Sequence, residues 1–132
     1  MKAMTFAEKI FKAPCGAIVF ARPNLVLTHD NTTSIFSTFR KMGGEKVADP
    51  GQLMVVLDHN APPADAKLAT QYQDIRDIVK RQGIGRFYDS GKGICHQVMS
   101  EHARPGMLIV GSDSHTSTAG AFNALAVNPD CK

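Results

Sequence analysis

The distribution of apolar and polar residues along this chain predicts strands that are separated by helices. The continuous apolar stretch at 53–57 predicts a strand buried on both faces, because such a strand has no polar alternation, and 107–110 predicts a second apolar strand. Short strands are expected at 17–20, 25–28 and 86–88. Strands separated by helical segments favour the α/β class, with a largely parallel sheet and flanking helices.

Four segments predict the helices. A short helix is expected after Thr5, because its spacing to Glu8 is that of a capping box. Apolar residues at helical spacing predict a second helix over 32–42 and a third that ends at Gly83. The segment 116–127 is small and apolar, which predicts a helix packed closely against its neighbours.

Composition adds few constraints. The chain is 43% hydrophobic and 20% charged, as in ordinary globular proteins. Its net charge of +3 is scattered, so no nucleic-acid partner is expected. No apolar stretch is long enough for a secretory signal or a membrane span, and the three widely spaced cysteines suit a reducing compartment. We therefore expect a cytoplasmic protein without a membrane partner, and one domain over residues 1–132.

Histidine and aspartate cluster at or shortly after the ends of four predicted strands. The clusters are His29-Asp30, Asp58-His59, Cys95-His96 and Asp113-Ser114-His115. The carboxyl ends of parallel strands share one edge of the sheet, and ligands bind at that edge. The sequence therefore predicts one site built from these clusters.

The residue types limit the chemistry of this site. A histidine beside an aspartate suits acid–base work near neutral pH. Ser114 and Thr116 add hydroxyls just before a predicted helix, whose free backbone N–H groups attract carboxylates. These features indicate an anionic, hydroxylated substrate or a metal. In the simpler interpretation His29-Asp30 is a turn and helix cap, and His102 is expected to be exposed.

Motifs between residues 17 and 127 resemble the aconitase superfamily. They include Gly93–Val98 (GICHQV), Arg104–Gly106 (RPG) and Gly111–Thr118 (GSDSHTST), with Asp58-His59 upstream in the expected order. They are most similar to the large subunit of 3-isopropylmalate dehydratase and to homoaconitase-like relatives. The resemblance implies an aconitase-type N-terminal α/β domain that is incomplete, as a portion of a longer large subunit.

The resemblance also implies a role for each candidate residue. Asp58 and His59 correspond to the pair that assists departure of the substrate hydroxyl, and His96 to a histidine near the cofactor. Asp113 and His115 correspond to the residues that hold the metal-bound water or hydroxyl. The substrate-binding residues implied by position are His29, Ser114 and Thr116.

Members of the resembled family are hydro-lyases that dehydrate and rehydrate a hydroxy di- or tricarboxylate with a [4Fe–4S] cluster as Lewis acid. Three cysteines hold that cluster, two of them in a Cys-x-x-Cys far downstream of the Asp-Ser-His-Thr motif. Cys15, Cys95 and Cys131 lack this spacing, so no metal ligand is assigned in this chain. The remaining large-subunit domains and a small subunit are the implied partners, and this chain alone is expected to be inactive.

Isopropylmalate, from leucine synthesis, is the default substrate, ahead of dimethylmalate, citramalate and homocitrate. Two alternatives remain open. The chain could be a truncated, catalytically inactive module that binds carboxylates or metal, because the expected cluster ligands are missing. It could also be an unstable truncation without a role, which a non-cooperative melt would indicate.

Overall fold

A computed structural model describes residues 3–129 of the protein. The helices are α1 (Phe6–Phe11), α2 (Thr32–Lys41), α3 (Ala66–Gln82) and α4 (Cys95–His102). The strands are β1 (Leu25–Thr28), β2 (Leu53–Val56), β3 (Arg86–Tyr88), β4 (Leu108–Gly111) and β5 (Leu125–Val127). Two 3₁₀ helices, Pro50–Gln52 and Ser114–Phe122, precede β2 and follow β4. We call the second of these the 3₁₀ segment.

All five strands form one parallel sheet in the order β3-β2-β1-β4-β5. In the central strand β1, Val26 is in register with Leu53 of β2 on one side and with Val110 of β4 on the other. The chain runs outward from β1 to β3 and then crosses to β4. This change of direction makes the gap between β1 and β4 a topological switch point, where ligands bind in open α/β sheets.

Each face of the sheet has its own apolar core. One core joins the sheet to α4 and the 3₁₀ segment, and the other joins it to α2, α3 and the turn after α3. Strand β2 contributes to both, because Met54 and Val56 belong to the first core while Val55, with Leu57 just after the strand, belongs to the second. This confirms the prediction of a strand buried on both faces and the α/β class with a parallel sheet.

The helix boundaries follow local signals. The predicted capping box is present in α1, where Thr5 Oγ1 accepts from Glu8 N and Glu8 accepts from Thr5 N. Asp65 caps the start of α3, and Gly83 ends it in a left-handed conformation with φ of 73°. The described residues contain no helix that is both long and apolar enough to cross a bilayer.

The strand predicted at 17–20 is wrong. These residues form no regular element and pair with no strand of the described sheet, and Ile18 and Phe20 are 92% and 101% exposed. An apolar run of high β-propensity becomes a strand only where a neighbouring strand is available. Here β1, the next strand along the chain, is already paired on both sides.

The helix predicted at 116–127 is confirmed only as far as Phe122, where the structure has the 3₁₀ segment. Its extension to 127 is wrong, because Asn123 is left-handed with φ of 57° and the last residues form β5. Leu125 is in register with Leu108 of β4, so pairing to an open sheet edge outweighed helix propensity. The sequence did not predict α4, whose start is set by a contact with a residue 37 positions away.

Candidate active site

Loops at the carboxyl edge of three adjacent strands meet the start of α4 around the switch point. His29 follows β1 directly, Asp58 and His59 follow β2, and Asp113 follows β4. His96 is the second residue of α4. The structure thus brings together the four clusters that the sequence placed on one edge, and hydrogen bonds link most of them.

Asp113 lies at the centre of this site. Its Oδ1 lies 2.7 Å from His96 Nε2 and accepts a 2.7 Å bond from the backbone N–H of His115, while Oδ2 lies 3.2 Å from His59 Nε2. Burial raises the pKa of Asp113, but these hydrogen bonds outweigh burial and lower it to about 2. The side chain is therefore a carboxylate at neutral pH, and it also caps the 3₁₀ segment.

His59 lies between two carboxylates. Its Nδ1 is 2.7 Å from Asp58 Oδ1 and its Nε2 is 3.2 Å from Asp113 Oδ2. Only an imidazolium donates from both ring nitrogens. Burial lowers the pKa of His59, yet the two carboxylates raise it above its usual value overall. The charged form of this ring is therefore more favoured than in a free imidazole.

Asp58 connects this histidine to α4. Its Oδ2 accepts a 2.6 Å hydrogen bond from the backbone N–H of Cys95, the first residue of the helix. Burial raises the pKa of Asp58, while the bonds from Cys95 and His59 lower it more strongly. Since helix N-termini favour negative charge, one carboxylate both starts α4 and orients His59.

His29 stacks on His59 with ring centroids 4.1 Å apart. Burial lowers the pKa of His29, and the neighbouring charge of His59 lowers it further. The two stacked rings therefore differ in charge preference, since His29 favours the neutral form. Such a pair can place a proton acceptor beside a proton donor.

The remaining predicted residues divide between the rim and the interior. Ser114 and His115 are exposed at the rim, with Ser114 Oγ 3.2 Å from His115 Nδ1. Thr116 is fully buried, and its hydroxyl donates a 2.6 Å bond to the carbonyl of Asp113. The structure therefore does not bring Thr116 to the open site. The expectation for His102 is wrong, because it is partly buried and its Nε2 lies 2.6 Å from the Tyr88 hydroxyl.

Sequence reasoning missed the role of Asp30. The residue that caps α2 is Asn31, and Asp30 instead holds the loop after β2. Its buried carboxylate accepts hydrogen bonds from the backbone N–H groups of Asp58 and Asn60, the Asn60 amide and the Tyr72 hydroxyl. These partners lie 28 to 42 positions away in the sequence, so no local sequence motif predicts the contacts. An aspartate two residues after the end of a buried strand was the one available hint.

The described cysteines do not fit an iron–sulfur cluster. Cys15 is exposed and Cys95 is buried in the core under α4. Burial, with Asp58 nearby, raises the pKa of the Cys95 thiol to about 12, whereas cluster ligands are thiolates. Cys131 lies outside the described residues.

This combination of features defines a class of protein: a parallel α/β domain with an acid–base site of paired histidines and aspartates at its switch point. A sequence model of the aconitase family (aconitate hydratase) matches residues 5–128. The chain therefore belongs to the aconitase family.

Individual curated relatives show which members of the family the chain is similar to. The chain is 40% identical over 134 residues to a probable 3-isopropylmalate dehydratase large subunit of Methanothermobacter thermautotrophicus, covering 94% of this chain and 32% of the relative. It is 42% identical to 3-isopropylmalate dehydratase large subunit 1 of Methanopyrus kandleri, covering 92% and 31%. It is 39% identical to the methanogen homoaconitase large subunit of Methanocaldococcus jannaschii, covering 93% and 31%. The chain thus spans about a third of the length of these relatives.

Proposed function

We propose that this chain supplies the acid–base and substrate-binding part of an aconitase-type hydro-lyase. The substrate class is a hydroxy di- or tricarboxylate such as isopropylmalate, or homocitrate as the homoaconitase relative suggests. The observation that carries the proposal is the hydrogen-bonded series Asp58, His59, Asp113 and His96 at the switch point. It places an imidazole with a raised pKa between two carboxylates, which suits proton transfer to and from a hydroxyl.

In this proposal His59, held by Asp58, donates a proton to the departing hydroxyl, which leaves as water, while a base outside this chain accepts the proton from the adjacent carbon. Asp113, with His96 and His115, then holds the released water by hydrogen bonds for rehydration at the adjacent carbon. Ser114 at the rim and His29 beside His59 contact the substrate. Thr116 supports Asp113 from within the fold through its bond to the Asp113 carbonyl.

The aconitase family implies an iron–sulfur cluster, but the described cysteines do not fit it. We infer that any cluster ligands come from other segments. The relatives are about three times longer than this chain and are named large subunits. The further large-subunit domains and a small subunit are therefore the proposed partners, and residues 1–132 are proposed to act as one domain within that assembly.

A chimeric enzyme tests this function. The matching segment of the Methanothermobacter dehydratase large subunit is replaced by residues 5–128 of this chain and co-expressed with that enzyme's small subunit. Turnover of isopropylmalate is followed by absorbance of the unsaturated acid. We expect an active chimera, and His59→Gln or His96→Gln to lower kcat by about 100-fold or more, as for loss of a general acid–base group.

His102→Gln is the matched control, because His102 contacts Tyr88 and none of the proposed catalytic side chains. This variant should keep the activity of the chimera. If His59→Gln and His96→Gln are as active as His102→Gln, the proposed assignment is wrong.

The cysteine mismatch favours a second candidate, a catalytically inactive module that binds carboxylates or metal. Calorimetry of the chain with isopropylmalate and citrate separates the two. Binding by the chain together with an inactive but correctly folded chimera would support the module over the hydro-lyase.

A further inference from the structure

A groove between α2 and α3 lies on the face of the sheet opposite α4. It holds a cavity of about 530 Å³ that is lined by residues of these two helices, a volume within the roughly 300–1,000 Å³ of small-molecule sites. Both helices connect parallel strands and run back across the sheet, so their last turns lie towards the edge opposite His59 and Asp113. The groove is therefore separate from the candidate active site.

Three basic residues line the groove at the last turns of both helices: Arg40 and Lys41 of α2 and Arg81 of α3. Among the described residues the one acidic group that lines it is Asp74, which lies two helical turns before Arg81, about 10 Å away along the axis. A helix carboxyl end carries roughly half a negative charge. The three cations therefore exceed the charge of two helix ends and one carboxylate together, and the groove favours an anion.

The two arginines of the groove differ from every other arginine in residues 3–129, because their side chains have no hydrogen-bond or ion-pair partner there. The other arginines are all bonded, Arg22 to Asp49, Arg76 to Asp89, Arg86 to the Gly51 carbonyl and Arg104 to the carbonyls of Glu101 and Ala103. A guanidinium is a planar fork of donors that matches a phosphate or a carboxylate in a bidentate way. Arg40 and Arg81 thus leave two such forks available to a ligand.

The rest of the lining favours a polar ligand over an apolar partner. The apolar lining residues Phe36 and Ile78 are only 4% and 6% exposed, so little apolar surface is left for a partner to cover. Thr33 and Ser37 add hydroxyls from α2, which can donate to the oxygens of an anion. An amphipathic helix would gain little by docking here, because helix-in-groove binding depends on apolar anchors. A small anion can use the arginines and the hydroxyls together.

We propose that the groove between α2 and α3 binds a small polyanion that carries at least two phosphate or carboxylate groups. Arg40 and Arg81 bind anionic groups from the two sides of the groove, Lys41 adds positive charge, and Ser37 donates a hydrogen bond. The binding is non-covalent. It does not depend on the hydro-lyase function, because none of the proposed catalytic residues takes part.

Titration of the full-length chain with two probe anions tests the site. Pyrophosphate and citrate are added separately at low ionic strength, and amide chemical shifts in two-dimensional NMR locate the bound anion. We expect saturable shifts in the groove, largest around Ser37 and Arg81. Shifts around Asp113 report binding at the candidate active site and are analysed separately. Tighter binding of pyrophosphate in the groove identifies phosphate as the preferred group, and tighter binding of citrate identifies carboxylate.

Variants identify the residues that bind the anion. Arg40→Gln and Arg81→Gln should each weaken binding in the groove by about 10-fold or more, as expected for loss of a charged hydrogen-bonding group. Asp74→Asn removes a repulsive charge about 10 Å away and should tighten binding by about twofold. Lys80→Gln is the matched control, because it removes one positive charge from an exposed position of α3 outside the groove. Its affinity should stay within about twofold of the unchanged chain, since screened surface charges interact weakly.

Three outcomes would overturn the proposal. The first is a folded chain, as judged by its NMR spectrum, in which neither anion shifts the amides of the groove. The second is unchanged affinity in both Arg40→Gln and Arg81→Gln. The third is equal weakening by Lys80→Gln and Arg81→Gln, which would mean that net charge attracts the anion without a defined site. Because none of these measurements uses turnover, failure here is distinguishable from failure of the hydro-lyase function.

Discussion

Asp30 is the buried carboxylate that holds the loop after β2, and Asp30→Asn tests its role. Asp30 is 5% exposed, and its Oδ2 accepts from Asn60 N at 2.7 Å, Asn60 Nδ2 at 2.8 Å and the Tyr72 hydroxyl at 2.9 Å. Its Oδ1 accepts a longer bond from Asp58 N at 3.3 Å. Asparagine keeps the shape, but only one of its two terminal atoms is an acceptor.

The magnitude follows from these contacts. If the new amide oxygen takes the place of Oδ2, three bonds persist but lose their charge, and a hydrogen bond to a charged group is worth about 1 kcal/mol more than a neutral one. The amide nitrogen then faces the backbone N–H of Asp58, donor against donor. We expect a loss of about 3 kcal/mol in the free energy of unfolding, a large share of the roughly 5–15 kcal/mol of a typical domain. For a domain of this size, Tm should fall by about 10 °C.

Urea and thermal unfolding followed by far-UV circular dichroism measure this loss. Tyr72→Phe removes one of the four donors and should cost about 1–2 kcal/mol. Asp74→Asn, at an exposed position of α3, is the matched control and should stay within about 0.5 kcal/mol of the unchanged chain. If Asp30→Asn is as stable as Asp74→Asn, the view that Asp30 organises this loop is refuted.

Two further predictions concern packing and pH. Gly111→Ala should lower the free energy of unfolding by about 1–3 kcal/mol, because its Cβ would overlap the buried Thr116 side chain. Gly120→Ala meets open space and should stay within about 0.5 kcal/mol of the unchanged chain. Chemical denaturation compares the two variants. In the chelator-treated chain, histidine NMR titrations should place the midpoint of His59 above the usual value of 6.5 and that of His29 below it. The stabilisation from charged His59 is fully present below pH 6.5 and is lost as pH rises through its raised pKa. His59→Gln should therefore reduce the loss of folding stability over this pH range. His29 has the opposite effect and destabilises the fold as pH drops below 6.5. A His59 midpoint at or below 6.5 would contradict the charged form between two carboxylates.

Much of the site was predictable because its position depends on strand ends. The apolar runs before Asp58 and before Asp113 predict buried strands. Parallel strands bring their carboxyl ends to one edge of the sheet. Local pattern failed at 17–20, which pairs with no strand of the described sheet, and at the end of 116–127. At 125–127 pairing with β4 decided the outcome.

The sequence by itself determined the α/β class, the buried strands and the edge on which histidines and aspartates gather, because periodicity and the positions of strands along the chain are local properties. Only the tertiary structure decided that Asp113 would be the shared partner of His59 and His96, that Thr116 would turn inward, and that Asp30 would hold the loop from beneath. The physical reason is that these roles are hydrogen bonds between residues 17 to 54 positions apart, or a burial set by packing. Such contacts exist only once both faces of the sheet are covered.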